Sequence, residues 1–181
     1  RDPWRVEEVQ YVHMHTVFEA IHFIFGGEND WEKKALGILK QKRVDLKNYV
    51  GYLKMEPHLF QALEKLGEEG VFRAINTNRT TSMKYIMERF NLWPYFEMVV
   101  TALDVKNPKP HPESIEKILQ EFNLSKEEAV FVGDSEVDQQ TARSSGIKFI
   151  AYKNKEIAKE AYIEDHLDLF RMILSPKSLQ R

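Results

Sequence analysis

Cysteine is absent from the 181 residues. That excludes disulfides, thiolate nucleophiles and cysteine metal sites. No stretch of about 18 uninterrupted apolar residues occurs, so no segment reads as a membrane-spanning helix. An excess of charge of either sign is also missing: 26 Lys and Arg stand against 28 Asp and Glu, a net charge of −2. There is thus no global basic field to hold nucleic acid or an anionic membrane. Internal repeats, low-complexity tracts and Gly/Ser-rich linkers are lacking, as is a signal-peptide pattern, so a cytoplasmic setting is expected. What is present is 43% hydrophobic and 30% charged residues with a mean hydropathy of −0.48. That balance belongs to a soluble globular chain long enough for one domain of ordinary size.

The texture changes near residue 54. Before it, only helix signals occur. Asp2-Pro3 is a capping carboxylate followed by proline at a first helical position. Val6, Val9, Val12, Phe18, Ile21 and Ile24 then recur at helical spacing until Gly26-Gly27. Asp30 starts a second expected helix through about Lys42, and Val44–Leu53 is a third short apolar stretch. After residue 54, helices and short apolar runs alternate. The expected strands are Val71–Ile75, Met98–Thr101, Ala129–Val132 and Lys148–Tyr152. The expected helices are Pro57–Lys65, Thr81–Phe90, Pro112–Phe122 and Val137–Ser144, with two more near Ile157 and over Leu167–Ile173. Strands separated by helices of this length predict βαβ units: an α/β, Rossmann-like, doubly wound parallel sheet. Such sheets place ligands at the carboxyl ends of their strands.

Three polar turns follow the expected strands: Asn76-Thr77-Asn78-Arg79, then Asn107-Pro108-Lys109-Pro110-His111-Pro112, then Gly133-Asp134-Ser135-Glu136-Val137-Asp138. A parallel sheet brings all three to one edge. A hydroxyl with main-chain donors, an ammonium and two carboxylates together suit a phosphate with a divalent cation. Donors and Lys⁺ neutralise phosphoryl oxygens, while hard carboxylate oxygens hold Mg²⁺. Each motif alone has a plain structural use. Thr77-Asn78 can be a turn and cap, Lys109 a solvated loop lysine, and Asp138 a carboxylate at a helix N-terminus. Their order and spacing carry the weight.

In that order the residues resemble the haloacid dehalogenase (HAD) superfamily, in its phosphoglycolate-phosphatase-like branch, over roughly residues 55 to 170. The family's Ser/Thr-Asn pair is matched by Thr77-Asn78, and its lysine before Pro-x-Pro by Lys109-Pro110-His111-Pro112. Its Gly-Asp-Ser-x-x-Asp is matched by Gly133 to Asp138, with Ala142 and Gly146 beyond. The resemblance implies a HAD-like core over 55–181 and a small helical cap over 1–54. It also implies a Mg²⁺-dependent phosphatase acting on a small phosphorylated metabolite through an aspartyl-phosphate. Thr77, Asn78 and Lys109 would bind the phosphoryl group, with Thr77 and Lys109 catalytic, and Asp134 and Asp138 would serve the metal. Dehalogenases of the superfamily need no Mg²⁺, so the carboxylate pair leans toward phosphoryl chemistry.

One departure limits the resemblance. The family's nucleophile lies in an Asp-x-Asp motif ending the first strand, and no Asp-x-Asp occurs in the sequence. Because the chain opens on Arg1 and keeps Thr77, Lys109, Asp134 and Asp138, the motif is expected just upstream of Arg1. The alternative is a catalytically inactive HAD-like binding or scaffold protein. Without the motif-bearing strand, the Val71–Ile75 and Ala129–Val132 strands should lie about two strand spacings apart, ~9–10 Å, and unpaired with each other.

Two further patterns have plain readings. His15, Glu19 and His22 fall on one helix face at metal-ligand spacing, with a polar helix face as the alternative and no fourth ligand. Trp93, Tyr95 and Phe96 are expected to pack beneath the second strand. A phospho-accepting receiver domain is disfavoured, because its acidic pair would precede the Thr and Lys.

Overall fold

In the computed structural model, the alternation after residue 54 becomes two short parallel sheets clothed by helices. The residues described are 5, 8, 11, 12, 15–27, 29–41 and 50–173. The expected start at Asp2-Pro3 and most of the Val44–Leu53 stretch lie outside them.

Helix α1 spans Val17–Phe25 and α2 Asp30–Gln41. The single helix expected up to Ile24 is corrected: a helix begins afresh at Thr16. That residue is extended (φ −64°, ψ 157°) and forms a capping box with Glu19. The Thr16 amide and hydroxyl donate to the Glu19 carboxylate at 2.8 and 2.7 Å. Reciprocal satisfaction of the orphan donors makes this a strong start signal. Gly26 closes α1 with φ +72°, a conformation that costs glycine little.

Helix α3 (Leu59–Glu68) leads into β1 (Ala74–Asn76), α4 (Ser82–Arg89) and β2 (Met98–Val100). Then come α5 (Glu113–Phe122), β3 (Val130–Gly133), α6 (Glu136–Ser145), β4 (Lys148–Tyr152), β5 (Tyr162–Ile163) and α7 (Leu167–Ile173). β1 starts three residues later than expected because its upstream amides are used elsewhere. The Val71 N–H closes α3 onto the Leu66 carbonyl at 2.9 Å, and the Arg73 N–H goes to the Glu97 carboxylate at 2.6 Å. The helix expected near Ile157 is a turn, its carbonyl taken by the Gln139 side chain. The two-residue β5 is too short to show alternation in the sequence.

β1 pairs with β2, and β3 with β4 and β4 with β5, all parallel. As expected, β1 and β3 do not pair with each other among the described residues. Strand alternation sends Phe131 and Phe149 to one face, against Ile115, Leu119, Ala142 and Ile147 of α5, α6 and the turn after α6. Val132 and Ile150 face the other way, toward Ile163 and Leu169. Helices on both faces of a parallel sheet are the doubly wound arrangement. On β1–β2, Ile75 and Val99 pack with Met83, Met87 and Leu92. Phe96 joins that cluster as expected, whereas Trp93 is 51% exposed, a correction that follows from its place on a surface turn before Pro94. No helix among the described residues is long and apolar enough to cross a membrane.

Candidate active site

The three polar turns meet, and Lys109 is where they meet. At the end of β1, the Thr77 N–H still bonds across to Val100 O at 2.9 Å, extending the ladder by one residue. The chain then turns, with Thr77 Oγ1 accepting from the Arg79 N–H at 3.1 Å. Accepting leaves the hydroxyl hydrogen uncommitted: it has no acceptor among the described residues.

Asn78 clamps the second turn onto the first. Its Oδ1 accepts the Lys109 N–H at 3.0 Å and its Nδ2 donates to Lys109 O at 2.9 Å. One side chain thereby satisfies both main-chain groups of Lys109. The stretch before it is tied by Glu113, which accepts from the Lys106 and Asn107 N–H groups at 2.7 and 2.9 Å. The Lys106 amide, with Asn107, holds the Glu113 carboxyl below its ordinary value of 4.5, against the smaller opposing effect of burial.

Held at its main chain, Lys109 extends its ammonium across to the third turn. Nζ donates to Asn76 O at 3.0 Å and to Asp138 Oδ1 at 2.6 Å. Both side chains of the pair are 10% exposed. An ammonium has three donors, and two are spent here; the third has no hydrogen-bond partner among the described residues. The other oxygen of Asp138 belongs to the start of α6. Oδ2 accepts from the Ser135 hydroxyl at 2.7 Å and its N–H at 3.3 Å, while Ser135 Oγ accepts from the Asp138 N–H at 3.2 Å.

This closure requires glycine at Gly133. A Cβ there would stand 2.4 Å from Asp138 Cβ and 2.7 Å from Asp138 Oδ2. The glycine of Gly-Asp-Ser-x-x-Asp therefore lets a helical carboxylate lie against the strand end. Asp134, between them, is exposed, and its carboxylate has no partner among the described residues. Its carbonyl accepts from Asn154 Nδ2 at 2.8 Å.

These residues fit Mg²⁺ of one kind. Among the described residues no three His, Cys, Asp or Glu gather to hold a metal, so the chain offers no closed protein cage. Mg²⁺ is usually held by one or two carboxylates, with water and substrate phosphate filling the remaining positions. Asp134 is the carboxylate with open valence. Asp138 has both oxygens committed, one to Lys109 and one to Ser135.

Of the residues singled out from sequence, Thr77, Asn78, Lys109 and Asp138 are joined by the bonds above, and Asp134 stands on the same strand end. The side-chain clamp of Asn78, the loop anchor Glu113 and the carbonyl contact of Asn154 were not legible, since each bonds to main chain distant in sequence or fixed only by the turn. His15, Glu19 and His22 do not converge. His15 Nδ1 lies 2.8 Å from Tyr11 O, Glu19 serves the capping box, and His22 Nδ1 lies 2.9 Å from Glu32 Oε1.

Fold and site together define a class: a parallel α/β core with a hydroxyl, an ammonium and carboxylates gathered at the carboxyl ends of its strands. The chain belongs to the haloacid dehalogenase-like hydrolase family, whose sequence model matches residues 7–152. A crystal structure of a HAD-superfamily hydrolase, subfamily IA, variant 1, from Geobacter sulfurreducens PCA is 34% identical. The match covers 96% of this chain and 80% of that one, with a TM-score of 0.72. Pyrophosphatase PpaX of Halalkalibacterium halodurans is 35% identical over 98 residues, 52% of this chain and 45% of the relative. Phosphoglycolate phosphatase of Salmonella choleraesuis is 33% identical over 91 residues, 50% of this chain and 36% of the relative. The chain spans between 36% and 60% of the length of such curated relatives.

Proposed function

We propose that the protein is a cytoplasmic, Mg²⁺-dependent phosphatase of small phosphorylated metabolites. In this reading residues 55–181 form the core and residues 1–54 a helical cap. The nucleophilic aspartate, which would form an aspartyl-phosphate, comes from outside these 181 residues. One observation carries the reading: at the carboxyl ends of the strands the Thr77 O–H, one N–H of Lys109 and the Asp134 carboxylate have no hydrogen-bond partner among the described residues. A donor, a cation and a hard anion are the complement of a phosphoryl group with its divalent counter-ion.

The residues divide the work by position. Thr77 donates its hydroxyl hydrogen to one phosphoryl oxygen, and the Asn78 main chain lines the same turn. Lys109 presents its third N–H to another oxygen and lowers the repulsion between an approaching carboxylate and the phosphate. Asp138 keeps that ammonium in place through the transfer, so no reorganisation is needed as charge moves. Bound Mg²⁺ would supply further neutralisation of the phosphoryl oxygens, with Asp134 as its ligand and Asp138 supporting the site through Lys109 and Ser135. PpaX and phosphoglycolate phosphatase, whose names denote small phosphorylated substrates, support the substrate class.

The test is phosphate release from a panel of phosphorylated metabolites by the protein as encoded in full, with Mg²⁺ and with EDTA. Release is expected with Mg²⁺ alone and should fall by at least about 10²-fold in Asp134→Asn, since one preorganised electrostatic group contributes on that scale. Full activity in EDTA, or in Asp134→Asn, overturns the reading.

A further inference from the structure

Asp134 is the residue on which metal binding is proposed to turn, yet nothing in its own motif holds it. Its carboxylate is free among the described residues. Its neighbours are fixed from behind, Gly133 by the β3–β4 ladder and Ser135 by Asp138. Among the described residues the one hydrogen bond to Asp134 itself comes from the turn after β4, where Asn154 Nδ2 donates to its carbonyl at 2.8 Å.

Asn154 is built to do this. β4 ends at Tyr152, and Lys153 turns the chain with φ +53°. The Lys153 N–H is tied to Ile163 O at 2.9 Å. Asn154 Oδ1 then accepts the Glu156 N–H at 3.2 Å. The two contacts fix the amide's orientation, because a flipped side chain would set oxygen against the Asp134 carbonyl and NH₂ against the Glu156 N–H. A local turn thus immobilises the side chain, which in turn pins the main chain that carries Asp134.

We infer that Asn154 is a positioning residue for the divalent cation: it holds the Asp134 loop so that the carboxylate faces the rim. Outer partners that orient a ligand residue without touching the metal commonly contribute about 10- to 100-fold to metal affinity. The inference rests on the proposed metal role of Asp134, and the two separate by experiment. Mg²⁺ is titrated into the protein as encoded in full and into its Asn154→Ala and Asp134→Asn variants. The main-chain amide shifts of Asp134 and Ser135 are followed by NMR, with thermal melts recorded alongside.

Asn154→Ala should weaken Mg²⁺ binding about tenfold while its melt stays within a few degrees of the parent, because the residue lies in a surface turn. Asp134→Asn should abolish the shift changes. Unchanged affinity in Asn154→Ala beside lost binding in Asp134→Asn sinks the inference and leaves the metal reading standing. Unchanged binding in both variants removes the metal role of Asp134, and the role of Asn154 with it. A large drop in the Asn154→Ala melting temperature marks a structural residue and also overturns the inference.

Discussion

Lys109→Met is the most informative single change, because it removes charge and donors while nearly preserving the stem. In the parent, the Lys109 ammonium and the Asp138 carboxylate lie 2.6 Å apart and are each 10% exposed. With methionine at 109, Asp138 keeps its two contacts from Ser135 but loses its one ion-pair partner among the described residues. Removing one partner of a buried pair leaves an uncompensated charge and typically costs about 3–5 kcal/mol. That is a large share of the roughly 5–15 kcal/mol a domain commands. Asp138→Asn strands the ammonium instead, although Asn76 O still accepts from it, so its cost should fall at the lower end of that range. In the double variant Lys109→Met/Asp138→Asn no charge is buried unpaired. Its cost should therefore undercut the sum of the single costs by about 1–3 kcal/mol, the coupling expected of groups in direct contact. Urea denaturation with linear extrapolation gives each value. Costs that add to within about 0.5 kcal/mol, the behaviour of independent sites, would refute the placement of Lys109 against Asp138.

The other predictions rest on groups with different duties. Thr77→Val removes a hydroxyl whose hydrogen has no acceptor among the described residues and whose oxygen accepts from the Arg79 amide. Phosphate release should fall about 10²-fold while the thermal melt changes little; a retained rate removes Thr77 from phosphate binding. The His166 ring lies tilted against Tyr152, centroids 4.3 Å apart, with its Nδ1 buried and without a hydrogen-bond partner among the described residues. Burial pushes its pKa below the ordinary 6.5, and Lys153 adds to this, against the opposing pull of Glu56 and Asp165. The unfolded chain then takes up the proton first as pH falls. The neutral ring's contribution to stability is complete above pH 6.5 and is lost as pH drops through the lowered value. His166→Phe should flatten the melting temperature against pH just below 6.5; an unchanged slope would show that another group sets it.

The sequence was legible where local pattern and final environment agree. Lys148–Tyr152 alternates Phe149 against Ile150, and those two residues do face opposite helical layers. The Gly133–Asp138 turn was readable as a strand end followed by a helix, and the structure adds the Ser135–Asp138 capping box that joins them. Reading failed where a distant group claimed a backbone donor or acceptor. Glu97 takes the Arg73 amide and shortens β1, and Gln139 takes the Ile157 carbonyl and prevents a helix. The missed start at Thr16 differs, since the Thr-x-x-Glu signal was present but lay within a continuous apolar periodicity. At the site, residue types were legible and their couplings were not. Nothing in Thr77-Asn78 announces that the Asn78 side chain will bind both main-chain groups of a lysine 31 residues away.

That coupling bears on why the site uses a lysine that already has a counter-ion. A free, solvated lysine at the rim would bring full charge to a phosphate but would first have to be ordered, and a long side chain loses up to about 2 kcal/mol of rotamer freedom when fixed. Here folding has met that cost: Asn78 fixes the backbone of Lys109, while Asp138 and Asn76 O fix its head. Pairing with Asp138 dilutes the ammonium's field but leaves one N–H directed by the other two. On the proposed function, a phosphoryl oxygen arriving there would meet a donor that need not search. The carboxylate that holds the lysine is in turn held by the first turn of α6, so the same short segment that carries the exposed Asp134 also sets the cation opposite it. In the proposed phosphatase, the metal-side and phosphate-side charges would thus be registered to one strand end, and a shift of β3 would move both together.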